Sequence, residues 1–251
     1  FDKGLAALDE ALKISREIDD QNGEASVLAE LARLEFDRGN VQAALRLGEE
    51  SLAVFESLRL RVVSPNLRAS LVASARHVQE LNIEILQHLH AESPASGFDA
   101  MAFRAAERGR ARSLLEVLGE SGTEIRRGAD TALLAREREL QRLIADKADR
   151  HTQLLNGKHS AEQETASARE LDNLATALEQ AQSRIRETSP QYASLTQPVT
   201  LDLQEIQSKV LDEDTVLLEY QLGSEKSFLW AVTPSSITSF ELPPRAEIES
   251  A

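Results

Sequence analysis

An internal repeat within the first part of the chain constrains the fold more than any other feature. The first twelve residues align with a second stretch 40 positions later, so that Leu5 falls on Leu45 and Leu12 falls on Leu52. A fixed period of this size is typical of stacked helical units, because one unit cannot bury its apolar face alone. The chain is therefore expected to build its core by stacking neighbouring helices.

Small and apolar residues occupy the positions at which the helices of such a unit would meet. Gly39-Asn40 interrupts the helical pattern, since glycine supplies the positive φ that a helix–helix corner needs. The pattern resembles the tetratricopeptide repeat (TPR) family, and the matching positions are Leu28, Leu31, Ala32, Gly39, Asn40, Ala44, Leu45, Ser51 and Leu52. Two residues depart from the family pattern, Glu35 and Gly48. We expect residues 1–60 to form TPR-like repeats, with further repeats preceding them in a parent protein.

Residues 61–129 are predicted to form an extended TPR-like helix pair followed by a linker. Ser64 and Pro65 together give a helix start signal, an N-cap followed by proline in the first turn. Ser96 is expected to cap the second helix, with Asp99 as the other half of a capping box. Three glycines then form a flexible connection.

A long antiparallel helical hairpin is predicted for residues 130–189. The first arm covers 131–155, and residues 156–160 form the turn. The returning arm, 161–187, carries apolar residues spaced 3, 4, 3 and 4 apart, which is a coiled-coil seam. Its members are Leu171, Leu174, Leu178, Ala181 and Ile185. The many charges of both arms indicate a solvated face, and the alternative is a binding surface.

The period changes from helical to strand-like in residues 190–251. Asp202 and Glu205 form a capping box that predicts one short helix. Three apolar runs separated by turn residues then read as strands, and they are 215–221, 227–233 and 237–242. Three strands with apolar residues on both faces need covering layers. This segment is therefore interpreted as the truncated opening of an α/β domain.

Several stretches of the chain carry a second resemblance, and they are 67–70, 107–115, 217–220, 227–233 and 242–248. Their order and spacing resemble a CHAT domain, a caspase-like family that is found joined to TPR repeats. The resemblance implies a caspase-type or separase-type cysteine peptidase with a His/Cys dyad. That dyad would lie beyond residue 251, and this chain contains no cysteine.

The expected fold class is thus mainly α. TPR-like helical repeats form an α-solenoid, a long antiparallel helical hairpin follows, and a short β-meander begins an incomplete α/β caspase-like domain.

The net charge of −14 and the lack of cysteine exclude several classes of function. Thiol chemistry and cysteine-ligated metal sites are impossible here, and an acidic surface disfavours nucleic acid, whose phosphates require basic contacts. No apolar run approaches the roughly 20 residues of a membrane span. We expect no catalytic, metal or cofactor site and no nucleic-acid or membrane partner, in a cytoplasmic, bacterial protein. The oligomeric state stays open.

Repeat scaffolds of this kind bind partners on the face lined by the first helix of each unit. A groove for a protein or peptide partner is therefore expected at Arg33, Phe36, Asp37, Arg76 and His77. The alternative for Phe36 is a place in the core.

A second candidate surface is a stripe of arginines at positions i, i+4 and i+8 of one helix, which are Arg104, Arg108 and Arg112, with Arg110 nearby. One interpretation is a patch for an anion or an acidic peptide. The other is internal pairing with neighbouring glutamates or with the acidic C-terminal segment.

Taken together, these features predict a non-catalytic interaction and regulatory scaffold of a TPR-CHAT protein. It would position or restrain a cysteine peptidase domain that lies beyond residue 251. Two alternatives stay open. The chain is a fragment of an active CHAT peptidase whose helices are plain scaffold, or it is an adaptor with a degenerate CHAT portion.

Overall fold

A computed structural model describes residues 2–61, 65–121, 130–155, 157–189 and 201–250. The chain divides into two compact units. We call the first the repeat unit, which comprises Phe1–Leu58, Leu71–Arg112 and Thr200–Ala251. We call the second the hairpin unit, which comprises Arg59–Ser70 and Ser113–Val199. The described residues are mainly helical with one small antiparallel sheet, which confirms the predicted fold class.

Five long helices precede the hairpin, and they are α1 (Asp2–Glu17), α2 (Gln21–Asp37), α3 (Val41–Arg61), α4 (Pro65–Glu92) and α5 (Phe98–Ser121). Asp20 caps α2, because its side chain accepts a hydrogen bond of 2.9 Å from the backbone N–H of Gly23. At the end of α2, Gly39 takes a φ of 82°, which allows the sharp corner into α3.

The two departures from the TPR pattern both have a place in the packing. Glu35 is buried at the corner between α2 and α3, where its carboxylate accepts hydrogen bonds from Asn40 Nδ2 and Arg38 Nη1. Gly48 lies on α3 against the buried side chain of Asn82 on α4. A Cβ atom at Gly48 would come within 1.9 Å of Asn82 Oδ1. Glycine therefore permits the close approach of these two helices.

The start of α5 differs from the prediction. A short 3₁₀ helix, Pro94–Ser96, follows α4, and Gly97 adopts a φ of 75° before α5 begins at Phe98. Ser96 is the last residue of that 3₁₀ helix and does not cap α5. Asp99 instead accepts a hydrogen bond from the adjacent backbone N–H of Ala100 at 2.8 Å. The predicted capping box is wrong because proline and glycine together complete a separate turn ahead of the helix.

The C-terminal segment forms a short helix and a β-meander. Its elements are α8 (Leu203–Lys209), β1 (Leu217–Gln221), β2 (Ser227–Val232), β3 (Ile237–Leu242) and α9 (Arg245–Glu249). The preceding helices, α6 (Thr131–Leu155) and α7 (Ala161–Thr188), belong to the hairpin unit. The capping box of Asp202 and Glu205 is present as predicted. The strands are antiparallel in the order β1-β2-β3.

One face of the sheet closes the core of the repeat unit. Trp230 on β2 is fully buried, and its ring meets Phe103 of α5 edge to face at a centroid distance of 6.1 Å. Phe228 lies 6.2 Å from Trp230 on the same strand. A continuous apolar cluster includes side chains from α2 to α5, from α8 and from β2. The sheet and the repeat helices therefore share one core.

The hairpin unit contains α6 (Thr131–Leu155) and α7 (Ala161–Thr188). Ser160 and Gln163 form a capping box at the start of α7. Leu140 and Ile144 of α6 pack against Leu178 and Ala181 of α7, two members of the predicted seam. A third seam residue, Ile185, is fully buried against Leu134.

Candidate interaction surface

The predicted groove residues of α2 and α4 lie beside the sheet of the same unit. Arg33 Nη1 lies 3.3 Å from Glu84 Oε2 of α4 and 3.8 Å from Glu225 Oε2 in the β1–β2 turn. Its guanidinium therefore bridges the two repeat helices and the sheet. This link joins the repeat helices to a segment almost two hundred residues later in the chain.

Phe36 is half-buried at the edge of the shared core. Its ring contacts His88 of α4 edge to face, with centroids 5.5 Å apart. The ring also lines a surface cleft. Phe36 therefore packs at the edge of the core and also faces a groove, so each of the two interpretations left open by the sequence holds in part. Asp37, one residue on, is exposed.

The two α4 members of the predicted groove are exposed. Arg76 Nε forms a bridge of 3.3 Å with Glu80 Oε1, one turn later on α4. Glu80 also reaches the β1–β2 turn, since its Oε2 accepts hydrogen bonds from the backbone N–H and the hydroxyl of Ser224 at 3.4 and 3.5 Å. His77 lines a narrow cleft at the same place. The face of α4 is thus engaged by a turn of the same chain.

A larger cleft of about 270 Å³ lies between helices α2 and α4 and strands β2 and β3. We call it the α4–β3 cleft. It is lined by Phe36, Glu84, Gln87, His88, His90, Ala91, Lys226, Phe228, Ser239 and Glu241. The amide Nε2 of Gln87 is buried and has no hydrogen-bond partner among the described residues. The ring Nδ1 of His90, another lining residue, is likewise buried without a partner in the described part of the chain.

In the arginine stripe, Arg104 and Arg108 are exposed, and the side chain of Arg112 lies outside the described part of the chain. Arg110, which is not a member of the stripe, is the arginine that contacts the sheet. Its Nη2 lies 3.0 Å from Glu219 Oε1 and donates a hydrogen bond of 3.2 Å to the carbonyl oxygen of Tyr220. The acidic C-terminal segment therefore pairs with α5 through Arg110, which the i, i+4 spacing did not include.

Glu219 occupies the centre of β1 with its side chain only 1% exposed. Burial, and after it the nearby carboxylate of Glu107, raise the pKa of this carboxyl to about 8 against the opposing effect of the Arg110 guanidinium. Arg110 Nη1 also lies 3.1 Å from Glu107 Oε1. The Arg110 guanidinium therefore lies close to two carboxyl groups. Of these, the buried carboxyl of Glu219 favours its protonated form.

The described residues contain no group of three or more histidines, aspartates or glutamates placed to hold a metal ion. Among the same residues, none of the helices combines the length and the apolar character required to cross a bilayer.

The antiparallel helices at the N-terminus, with one face engaged by another segment, have the architecture of a helical-repeat interaction module. Comparison with family models supports this class, because residues 1–57 match the tetratricopeptide repeat. No curated protein and no solved structure gave a significant match. Residues 1–57 are therefore similar to tetratricopeptide repeats, which generally mediate protein–protein binding.

Proposed function

We propose that the chain is the non-catalytic, regulatory scaffold of a cytoplasmic TPR-CHAT protein. Its repeat helices would hold the opening strands of a caspase-like or separase-like peptidase domain and thereby position or restrain that domain. The TPR match over residues 1–57 supports the scaffold role, and the CHAT part of the proposal rests on the sequence resemblance alone.

The observation that carries the proposal is the seating of the sheet on the repeat helices. Trp230 packs into the helical core against Phe103, and Arg110 pairs with Glu219. Arg33 of α2 adds a contact at the β1–β2 turn, where its Nη1 lies 3.8 Å from Glu225 Oε2. A face that TPR scaffolds use to bind other chains is here occupied by the protein's own strands.

Such an arrangement can regulate only if a partner distinguishes two states of the sheet. A partner that binds the repeats more tightly when the sheet is displaced would shift the population toward the displaced state. A partner with equal affinity for both states would change nothing, however tightly it binds.

The test uses the full-length protein and two substitutions of comparable expected cost. Phe103→Ala leaves a cavity beneath Trp230, whereas Leu178→Ala leaves one in the hairpin core, and each should cost about 2–5 kcal/mol. We expect Phe103→Ala to change cleavage of a casein substrate several-fold and Leu178→Ala to leave it within twofold. Equal rates in both variants would mean that the repeats are plain scaffold. A complete lack of cleavage in the wild type would instead favour an adaptor with a degenerate CHAT portion.

A further inference from the structure

We propose that Glu107, Arg110 and Glu219 form a proton-dependent latch, in which one proton shared by the two carboxyl groups holds β1 against α5. Loss of that proton opens β1 locally, while the rest of the repeat unit stays folded. We call these three residues the latch cluster. The inference concerns a contact within the repeat unit and does not depend on the peptidase assigned above.

Glu219 is the residue through which the centre of β1 meets the helices. Of the five residues of β1 it alone is buried, because Leu218 and Tyr220 are exposed and the two end residues are only half-buried. On the neighbouring strand, the residue directly opposite Glu219 in the ladder is the fully buried Trp230. The attachment of β1 to α5 therefore depends on the state of an ionisable group as well as on apolar packing.

The latch cluster contains two carboxyl groups and a single guanidinium. Arg110 Nη2 lies 3.0 Å from Glu219 Oε1, and Arg110 Nη1 lies 3.1 Å from Glu107 Oε1. With both carboxyl groups ionised, the cluster would carry a net negative charge although the Glu219 side chain is only 1% exposed. One added proton brings the net charge to zero, and a buried site favours the neutral arrangement because burial penalises unbalanced charge.

The hydrogen bonds of the latch cluster identify Glu219 as the group that carries the proton. Its Oε1 is buried and accepts no hydrogen bond from the described residues, although the guanidinium lies close by. Arg110 Nη2 donates instead to the carbonyl oxygen of Tyr220 at 3.2 Å. A buried carboxylate requires aligned donors, whereas a protonated carboxyl can itself donate. Glu107 lies within hydrogen-bonding contact of Glu219 and can accept that proton.

The charged groups that act on the Glu219 carboxyl both come from α5, and they are Glu107 and Arg110. The strand that pairs with β1, β2, contains no ionisable side chain. Charged side chains on the other elements around the sheet form pairs of their own, which are Arg33 with Glu225, Arg76 with Glu80, Lys226 with Glu241 and Lys209 with Glu205. The protonation of the latch cluster is therefore set by its own three members.

The difference in proton affinity between the closed and the open latch gives the direction of the switch. When β1 opens, Glu219 becomes hydrated and takes its ordinary pKa of 4.5, against about 8 in the closed latch. The closed latch binds the proton more tightly, so it is most stable in acid and weakens as the pH rises toward 8. From this difference, the population of the open latch should grow about 50-fold between pH 6 and pH 8 and little more above.

The first measurement titrates the proton itself in the full chain. The glutamate side-chain carboxyl groups are labelled with carbon-13, and the signal of Glu219 is assigned by its loss in Glu219→Gln. We expect this carboxyl to titrate near pH 8, well above the exposed glutamates. In Glu107→Gln its titration should move to lower pH, because the neighbouring negative charge is gone and the new amide can donate to an ionised Glu219.

The second measurement follows the opening of β1 by amide hydrogen exchange at pH 6, 7 and 8, expressed as protection factors so that the intrinsic effect of pH cancels. Between pH 6 and pH 8 the β1 amides should lose protection at least tenfold in the wild type and in the matched control Glu213→Gln, and less than twofold in Glu219→Gln. The exchange should not depend on low urea concentrations, since local opening exposes little surface. Unchanged emission from Trp230 at pH 6 shows that each variant is folded.

Four results would overturn the proposal. Glu219 titrates together with the exposed glutamates, so that the cluster holds no proton near neutral pH. Its titration stays in place in Glu107→Gln, so that burial alone retains the proton and the two carboxyl groups do not share it. The β1 amides lose protection equally in Glu219→Gln. Their exchange rises with urea as steeply as that of the most protected amides of the repeat unit, so that pH acts on the whole unit and not on a latch.

Discussion

Replacing Glu219 by glutamine should stabilise the repeat unit at alkaline pH and change little in acid. The carboxyl is buried in the centre of β1 between Glu107 and Arg110, and its pKa in the folded protein is about 8 against an ordinary value of 4.5. The folded state therefore binds the proton more tightly than the unfolded state does. The stabilisation from this group is complete below about pH 4.5 and is lost progressively as the pH rises through 8.

The size of the effect follows from the shift in pKa. One pH unit of difference corresponds to about 1.36 kcal/mol, so the interval from 4.5 to 8 sets an upper bound of about 5 kcal/mol. Between pH 5 and pH 7 the wild type should lose roughly 2–3 kcal/mol of its free energy of unfolding through this group. Glutamine cannot ionise, and the variant should lack this slope.

Trp230 gives the assay, because it is the only tryptophan of the chain and is buried on the strand next to β1. Urea unfolding is followed by its fluorescence at pH 5, 6, 7 and 8 for the wild type and for Glu219→Gln. Glu213→Gln, which removes an exposed carboxyl just before β1, controls for the loss of one charge. A difference between wild type and Glu219→Gln that stays constant from pH 5 to 8 would refute the reasoning.

Three further substitutions test the packing. Gly48→Ala should destabilise the repeat unit by about 1–3 kcal/mol in urea unfolding monitored at Trp230, since the new Cβ would displace the buried amide of Asn82; an unchanged midpoint would mean that this side chain moves aside without cost. Gly39→Ala should cost about 1 kcal/mol in the same assay because of the φ of 82°, and Asn at this position should cost less. Ile185→Ala should raise amide exchange in α6 and α7, with an expected loss of about 2–5 kcal/mol; exchange equal to wild type would contradict the packing of Ile185 on Leu134.

The periodic elements of this fold were predictable from sequence because each depends on local spacing. Apolar residues at helical intervals located α2 and α7, and the strand period of two placed Phe228 and Trp230 on one face of β2, which the structure shows to be the buried one. The capping box of Asp202 and Glu205 was also readable, since both of its hydrogen bonds join residues three apart. Such local patterns can be recognised in the sequence without knowledge of the tertiary structure.

The contacts of the candidate site were not predictable in the same way. Helical spacing identified Arg104 and Arg108 as one stripe, but it could not tell which arginine would meet a strand far along the chain. Arg110 and Tyr220 are 110 positions apart, and only the packing of the sheet onto α5 brings them together. Ser96 was misassigned for a different reason, because a 3₁₀ turn competed locally with the capping pattern.

The repeat unit is discontinuous in sequence, because its three segments are separated in the chain by those of the hairpin unit. This has a consequence for biosynthesis. Phe103 leaves the ribosome 127 residues ahead of Trp230, which at ordinary elongation rates is an interval of roughly 6 to 25 seconds. During that interval the apolar face of α4 and α5 has no strand to cover it. A nascent chain halted in this window should be a preferred client of chaperones that bind exposed apolar helices, and it should cease to be one when β2 emerges.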